Sequence, residues 1–289
     1  MNLKIIEDIA NAVLYEGYIL YPYRASAIKN RQRWNFGVVY PRAYAEVQSG
    51  ADAWSMRTEC LVKTESVEAV RVRVRFLHLI PRTLNGQAWH EAVEREIAMP
   101  QPARRHIFVF APVEDQQAIE GAIETQVEQL GPGLFKFCLT IFNTTAFDGS
   151  RRDEALLRSF VSTHAILGVE GGEFVSLLDP PEELRDKAAS CQNVGTYPVL
   201  VGKEGQRDAM LSSPIILYDY PTIAPESPGA LFDGTEIDEI LTLRIMTLTD
   251  EEKQEMGLAD DRARDILNRT ESMPAEQFMK MHGILREVR

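Results

Sequence analysis

The sequence predicts an α+β protein with an antiparallel β-sandwich or barrel-like sheet region and a turn-rich mixed C-terminal part that helices close. Three observations lead to this prediction. Apolar residues recur at helical spacing near the N-terminus, polar and apolar residues alternate within residues 55–145, and helix formers with a capping signal occupy the C-terminal end. Of the 289 residues, 45% are hydrophobic and 26% are charged. This composition excludes a disordered, collagen-like or coiled-coil chain.

The N-terminal segment predicts one helix followed by a loop. Ile5 and Ile9 begin a series of apolar residues spaced four apart, so their side chains share one helical face. Residues 15–41 then contain glycine, proline and many aromatic residues. This mixture favours an irregular loop that ends in a short strand at residues 36–40.

The next region has the pattern of an antiparallel sheet. From Val70 to Phe76 apolar residues alternate with three arginines, which predicts a strand with one apolar and one charged face. The dipeptide Asn85-Gly86 predicts a hairpin turn into a second strand. Glu94 and Glu96 of that strand are then expected to lie opposite the arginines as cross-strand pairs. Further strand-like runs occupy residues 106–110, 119–127 and 135–142.

Three regions follow from these patterns: residues 1–54 with the N-terminal helix and a basic aromatic loop, residues 55–145 as the antiparallel β region, and residues 146–289 as an acidic mixed α/β region with C-terminal helices. Thr249 and Glu252 form a capping box at the start of one of these helices.

Charge and hydropathy restrict the partners. The net charge is −12 and the isoelectric point is about 5.0, with the acidity concentrated in residues 151–289. A protein that binds a duplex needs a broad basic face, so we expect no nucleic-acid partner. No stretch reaches the ~18 apolar residues of a membrane helix, and the N-terminus has no signal-peptide pattern. We therefore expect a cytoplasmic protein without membrane contact.

Sequence motifs of common enzyme classes are absent. The chain contains no phosphate-binding loop, no G-x-G-x-x-G fingerprint and no nucleophile elbow. Cys60, Cys138 and Cys191 are too far apart for a close-spaced metal pair and are expected to be reduced thiols. Enzymatic activity stays uncertain, and the sequence favours its absence.

No cofactor is predicted, but two groups of residues have the side chains that bind a divalent or transition metal. Residues 233–239 carry four carboxylates, which suit either a hard cation or, as the favoured interpretation, the first turn of a capped helix. His164 and Cys191 suit a soft metal or a base and nucleophile pair, although a structural role is favoured for such isolated residues. The candidate metal ligands are His164, Cys191, Asp233, Glu236 and Asp238.

A basic aromatic segment is the strongest candidate for binding a partner. Residues 24–42 contain five basic side chains and no acidic one, interleaved with aromatic residues. Arginine beside tyrosine and tryptophan is typical of protein interfaces. The alternative is internal, in which the guanidinium groups pair with carboxylates of the acidic C-terminal half. The candidate partner-binding residues are Tyr21, Tyr23, Arg24, Lys29, Arg31, Arg33 and Trp34.

Three segments carry a resemblance to a known family. They are residues 15–24 with residues 29–31, residues 193–200 with the string NVGTYPVL, and residues 213–221 with the string SPIILYDYP, which continues into residues 224–229 and 233–236. They resemble a bacterial protein family, of uncharacterised chemistry, that is associated with gene clusters for uptake nickel-iron hydrogenases. The resemblance implies no catalytic residue. Because clustered cysteines are absent, it implies an accessory protein and not an iron-sulfur electron carrier.

The leading hypothesis is therefore a non-enzymatic accessory or assembly protein. It would bind a partner protein, for which the resemblance suggests a hydrogenase subunit, through residues 21–34 and the proline-rich loop at residues 221–229. One alternative is a metal-dependent enzyme or metal-delivery protein that uses the His/Cys/carboxylate site. A second alternative is a self-assembling structural protein. The sequence is also compatible with a homo-oligomer.

Overall fold

The computed structural model describes residues 3–281 with gaps. The gaps are Ala25, Gln32, Ser49, Ala51, Asn85, Gly86, Pro100, Ala103, Glu114, Glu226, Pro228 and Thr235, and for Leu3, Arg31, Leu84, Gln87 and Ala88 the description covers the backbone only. The predicted Asn85-Gly86 turn therefore lies outside the described residues. None of the described helices has the length and apolarity that a membrane crossing requires.

Short and medium-length elements make up the described chain. The helices are α1 (Leu3–Leu14), α2 (Ile28–Arg31), α3 (Arg42–Ala45), α4 (Arg152–Leu156), α5 (Arg185–Ala189), α6 (Asp238–Met246), α7 (Asp250–Ala259), α8 (Asp261–Glu271) and α9 (Ala275–Met281). The strands are β1 (Ser55–Lys63), β2 (Val70–Leu84), β3 (Gln87–Met99), β4 (Arg105–Phe110), β5 (Ile119–Gly131), β6 (Leu134–Asn143), β7 (Val161–Val169), β8 (Glu173–Phe174), β9 (Tyr197–Leu200) and β10 (Ala209–Ser213).

The strands form two five-stranded sheets that do not close into a barrel. The first has the order β4-β5-β6-β1-β8 and the second the order β3-β2-β7-β10-β9. The pairs with a described register are antiparallel, for example β5 with β6 and β2 with β7. The predicted α+β class is thus confirmed. The expected strand at residues 36–40 is not formed, because Val39 makes only isolated bridges, to Ala53 and Phe160.

The chain divides into two compact units, and each is discontinuous in sequence. Unit 1 consists of Met1–Leu14, Phe36–Pro81 and Ala92–Thr222, and unit 2 consists of Tyr15–Asn35, Arg82–Glu91 and Ile223–Arg289. This grouping differs from the three consecutive regions expected from sequence. The reason is that strands from before and after residue 145 share the same sheet, as β2 and β7 do.

The core of unit 1 lies between the two sheets. Alternation along β2 turns Val70, Val72 and Val74 toward this core, where the first sheet contributes Phe137 and Leu139. All five side chains are fully buried. The apolar face that sequence alternation predicts for residues 70–76 is confirmed.

The opposite face of β2 carries the arginines, and α1 covers it. Arg73 contacts Glu7 of α1 at 2.5 Å and Glu96 of β3 at 3.6 Å. Arg75, whose side chain is only 7% exposed, contacts Glu94 at 3.2 Å. The predicted pairs between Glu94 or Glu96 and the arginines are confirmed.

Unit 2 contains the four C-terminal helices among its described residues. The predicted capping box at Thr249 and Glu252 is confirmed at the start of α7. Asp260 caps α8 by accepting a hydrogen bond from the Ala263 amide at 2.8 Å. Leu241 of α6 is fully buried and supplies part of the apolar interior of this unit.

Asn143 at the end of β6 joins separate parts of unit 1. Its side-chain amide donates to the carbonyl groups of Val39 and Arg158, each at 2.8 Å, and its side-chain oxygen accepts from the Thr145 amide at 2.9 Å. The side chain is fully buried, so these partners have no solvent substitute.

Replacement of Asn143 by Asp is expected to destabilise unit 1. The substitution sets a buried carboxylate against two carbonyl oxygens, and a cost of about 2–4 kcal/mol follows from a lost donor and an unpaired buried charge. Urea unfolding followed by circular dichroism measures the effect. Gln277→Glu, at an exposed position of α9, is the matched control, and an equal loss in both variants would contradict the assignment.

Candidate partner-binding surfaces

The basic aromatic segment lies largely inside unit 2. Arg33 is only 6% exposed, and its guanidinium carbon lies 3.4 Å from the Trp89 ring centroid and 4.5 Å from that of Trp34. It donates hydrogen bonds to the carbonyl oxygens of Tyr18 at 2.7 Å and His90 at 2.5 Å. Burial lowers the pKa of Arg33 to about 10. Arg33 therefore remains charged at neutral pH and binds residues of its own chain.

Tyr23 and Trp34 are interior residues of the same unit. Tyr23 is fully buried, and its hydroxyl donates to the Leu231 carbonyl at 2.9 Å. Burial raises the pKa of this hydroxyl. Trp34 packs edge-on against Tyr18, with ring centroids 5.4 Å apart. A partner has no direct access to either ring while unit 2 is folded.

The remaining members of the predicted set differ in exposure. Arg24 contacts Glu252 at 3.3 Å and Glu255 at 3.5 Å, as the internal alternative expects. Tyr21 is half-buried and Lys29 is exposed, whereas the Arg31 side chain lies outside the described residues. Lys29 is thus the member that a partner contacts most readily.

His164 lies in a buried bulge of the second sheet. Pairing between β2 and β7 is regular as far as Arg75 and His164 and then shifts, with Ser162 at a φ of 52°. His164 Nδ1 donates to the Ser162 carbonyl at 2.9 Å, and Nε2 has no hydrogen-bond partner among the described atoms. Burial lowers the pKa of His164 to about 4, and Arg75 and Arg73 also lower it. The ring is neutral, fully buried and out of contact with solvent.

Cys191 follows α5 in unit 1 and is half-buried. Burial, together with the nearby Glu59 carboxylate, raises its pKa to about 11, so the thiol is protonated at neutral pH. A protonated thiol is a weak nucleophile and a weak metal ligand. Cys60 and Cys138 are buried, as the sequence predicts.

The predicted carboxylate ligands belong to unit 2. Asp233 is 9% exposed, Glu236 contacts Arg244 at 3.6 Å, and Asp238 is the first residue of α6. The sequence interpretation of residues 233–239 as a capped helix start takes Thr235 as the cap, and this residue lies outside the described residues; α6 has Ile237 at its N-cap position, without a side-chain cap. Among the described side chains, no three His, Cys, Asp or Glu residues form a group that could hold a metal ion. The geometry thus brings no support to the metal hypothesis.

An apolar surface that sequence analysis did not single out lies in unit 1, in the segment from Pro214 to Thr222 (the 214–222 segment). Ile216 is 75% exposed and Tyr218 is 84% exposed. Between them, Leu217 turns inward and packs with the cluster under α1. In the string SPIILYDYP the apolar residues from Ile215 to Tyr218 are consecutive, so the sequence carries no signal for which of these side chains face solvent.

Asp219 holds the 214–222 segment in place. Its carboxylate accepts a hydrogen bond from the Ser176 hydroxyl at 2.5 Å and from the Leu200 amide at 2.7 Å. Ser176 in turn accepts from the Asp179 amide at 2.9 Å, which brings residue 179 close to the segment. Leu178, beside it, is 57% exposed. Exposed apolar side chains therefore lie on a backbone that partly buried hydrogen bonds hold in place.

Comparison with known proteins does not assign a family. Neither a protein-family model nor a curated protein matches the chain. The association with hydrogenase gene clusters consequently rests on the resemblance of the sequence segments alone.

Replacement of Arg33 by Lys is expected to destabilise unit 2. Lysine keeps the charge but has no planar group to stack on Trp89 and cannot reproduce the two-carbonyl contact, so we expect a loss of about 2–4 kcal/mol. Urea unfolding followed by tryptophan fluorescence reports it, since Trp34 and Trp89 both belong to unit 2. The exposed exchange Lys29→Arg is the control and should change stability by less than ~0.5 kcal/mol. If Arg33→Lys unfolds at the same urea concentration as the wild type, Arg33 does not stabilise unit 2 in this way.

His164 is expected to make unit 1 less stable in acid. Its folded pKa of about 4 lies below the value of ~6.5 for an unfolded histidine, so the unfolded chain takes up the proton first. The contribution to stability is complete above pH 6.5 and falls by about 2 kcal/mol between pH 7 and pH 5. His164→Asn keeps a donor toward Ser162 and does not titrate. Its free energy of unfolding should depend less steeply on pH than that of the wild type, and an unchanged slope contradicts the assignment.

Proposed function

We propose that the protein is a non-enzymatic accessory protein that binds a partner protein through Ile216, Tyr218 and Leu178, here named the 216/218 surface. The observation that carries this proposal is the exposure of Ile216 and Tyr218, 75% and 84%, on a segment whose alternate residues are anchored. Solvent-exposed neighbouring apolar side chains of this size are typical of interaction sites. Tyrosine in particular is enriched among the residues that dominate binding energy.

The rigidity of the 214–222 segment supports a binding role. Binding costs less conformational entropy when the contacting side chains are already held in position. Asp219, hydrogen-bonded to Ser176 and Leu200, restrains the residue next to Tyr218. The Tyr220 amide also donates to the Leu200 carbonyl at 2.8 Å. The chain directly after Tyr218 is therefore fixed by contacts within unit 1.

Charge near the 216/218 surface indicates the chemistry of the partner. Asp179, Glu182 and Glu183 are exposed in the chain that follows Leu178. Glu182 is paired with Arg185 at 2.8 Å, whereas the Asp179 amide is bonded to Ser176, which also contacts Asp219 of the 214–222 segment. Exposed apolar side chains next to such a carboxylate suit a partner segment in which arginine or lysine accompanies apolar residues. The sequence resemblance suggests a nickel-iron hydrogenase subunit as that partner.

Co-purification tests the proposed function. The tagged wild-type protein, expressed together with the subunits of an uptake nickel-iron hydrogenase, should recover one of them. The double variant Ile216→Ser with Tyr218→Ser should reduce recovery at least tenfold, because it removes the apolar anchors without changing the charge. Val47→Ser, at a position 73% exposed in the same unit, is the matched control and should bind like the wild type.

Two outcomes reject the proposal: no hydrogenase subunit recovered with the wild type, or equal recovery with the double variant. Lys29→Glu tests separately whether the exposed part of the basic segment contributes. Arg33 is unsuitable for this purpose because a carboxylate at its buried position would unfold unit 2.

A further inference from the structure

The edge of the first sheet provides a second exposed surface, independent of the 216/218 surface. Strand β4 is the last strand of this sheet and pairs only with β5 among the described strands. Every second residue of an edge strand points its N–H and C=O groups away from its neighbour. These groups are available to another strand.

The side chains of β4 alternate in exposure. Ile107 is 60% exposed and Val109 is 62% exposed, whereas Phe108 between them is 8% exposed and faces the core. Ile107 lies opposite Ala122 of β5, and Ala122 lies opposite Phe142 of β6. Beside Ile107, Ala122 is fully buried, so the exposed apolar side chains of this face lie on the edge strand itself.

The two ends of this edge differ in charge. Arg105, at the start of β4, contacts Glu124 at 2.7 Å. Val109, toward the other end, lies opposite Glu120, which is exposed. Both ends thus have a glutamate one strand behind the edge, and only one end also has an arginine at the edge itself, where its guanidinium can contact a second carboxylate. A two-fold axis through the middle of such an edge brings the two ends together.

We infer that β4 pairs with β4 of a second copy of this chain, in an antiparallel register centred on Ile107. Ile107 then lies opposite Ile107 of the second copy, and Arg105 lies opposite Val109 of the second copy. With strands ~4.8 Å apart, Glu120 of the second copy is about 10 Å from the Arg105 backbone, within reach of a long side chain. The register keeps the odd-numbered residues of both strands on one face, as continuation of a sheet requires.

The interface is small, because a six-residue strand supplies it. We therefore expect a reversible dimer that forms at protein concentrations of tens of micromolar and above, in the range of weak assemblies. Sedimentation equilibrium of the purified wild-type protein should show the dimer. Ile107→Lys puts two ammonium groups opposite each other and should weaken the dimer at least tenfold. Val47→Lys introduces the same charge at a distant exposed position and should dimerise like the wild type.

Cysteine cross-linking tests the register. Under mild oxidation, Ile107→Cys should form a disulfide-linked dimer faster than Val109→Cys, because residue 107 faces itself across the axis whereas residue 109 faces residue 105. A wild-type protein that stays monomeric up to 300 μM, or an Ile107→Lys variant that dimerises normally, overturns the inference. Faster cross-linking of Val109→Cys overturns the register. None of these outcomes bears on co-purification with a hydrogenase subunit, so the two proposals fail separately.

Discussion

Arg75 of β2 is buried beneath α1 and Arg73 on the same face is partly buried, and their charge sets a condition that the rest of unit 1 satisfies. Because side chains alternate along a strand, the valines that fill the core force Arg73 and Arg75 onto the opposite face. A buried guanidinium without a counter-charge is costly, so the covering helix and the neighbouring strand must both supply carboxylates. Glu7 of α1 and Glu94 and Glu96 of β3 supply them. The position of α1 on the sheet is thus fixed by charge as well as by apolar contact.

This condition explains which parts of the fold follow from the sequence. The alternation at residues 70–76 predicts both the apolar and the charged face of β2. The arginines of the charged face also indicate that the neighbouring strand is acidic. Local patterns of this kind predict five or six strands within residues 55–145, and β1–β6 are present. They do not show that β7 pairs with β2. Pairing between strands so distant in sequence depends on how the whole core packs, and the periodicity of apolar residues in one segment does not predict that packing.

The candidate binding residues are harder to predict from the sequence than the strands, because the composition of a segment does not show which of its side chains are buried. Arg24, Lys29 and Arg33 belong to the same basic aromatic segment, yet Arg33 is buried against Trp89, Arg24 is paired with two glutamates and Lys29 is exposed. The difference arises from contacts with residues far along the chain. Conversely, Ile216 and Tyr218 read as ordinary apolar residues, and only the inward anchoring of their neighbours shows that they face solvent.

The two exposed surfaces of unit 1 keep their shape by different means, and this difference suits different partners. Strand β4 offers a regular ladder of backbone groups, which any extended chain can join but which a second copy matches in charge as well. The 216/218 surface offers side chains on an irregular backbone that Asp219 ties to two separate parts of the unit. An irregular backbone cannot extend a sheet, so its selectivity must come from the shape and charge of the side chains. A surface of this second kind recognises a specific partner, whereas an edge strand favours assembly with itself.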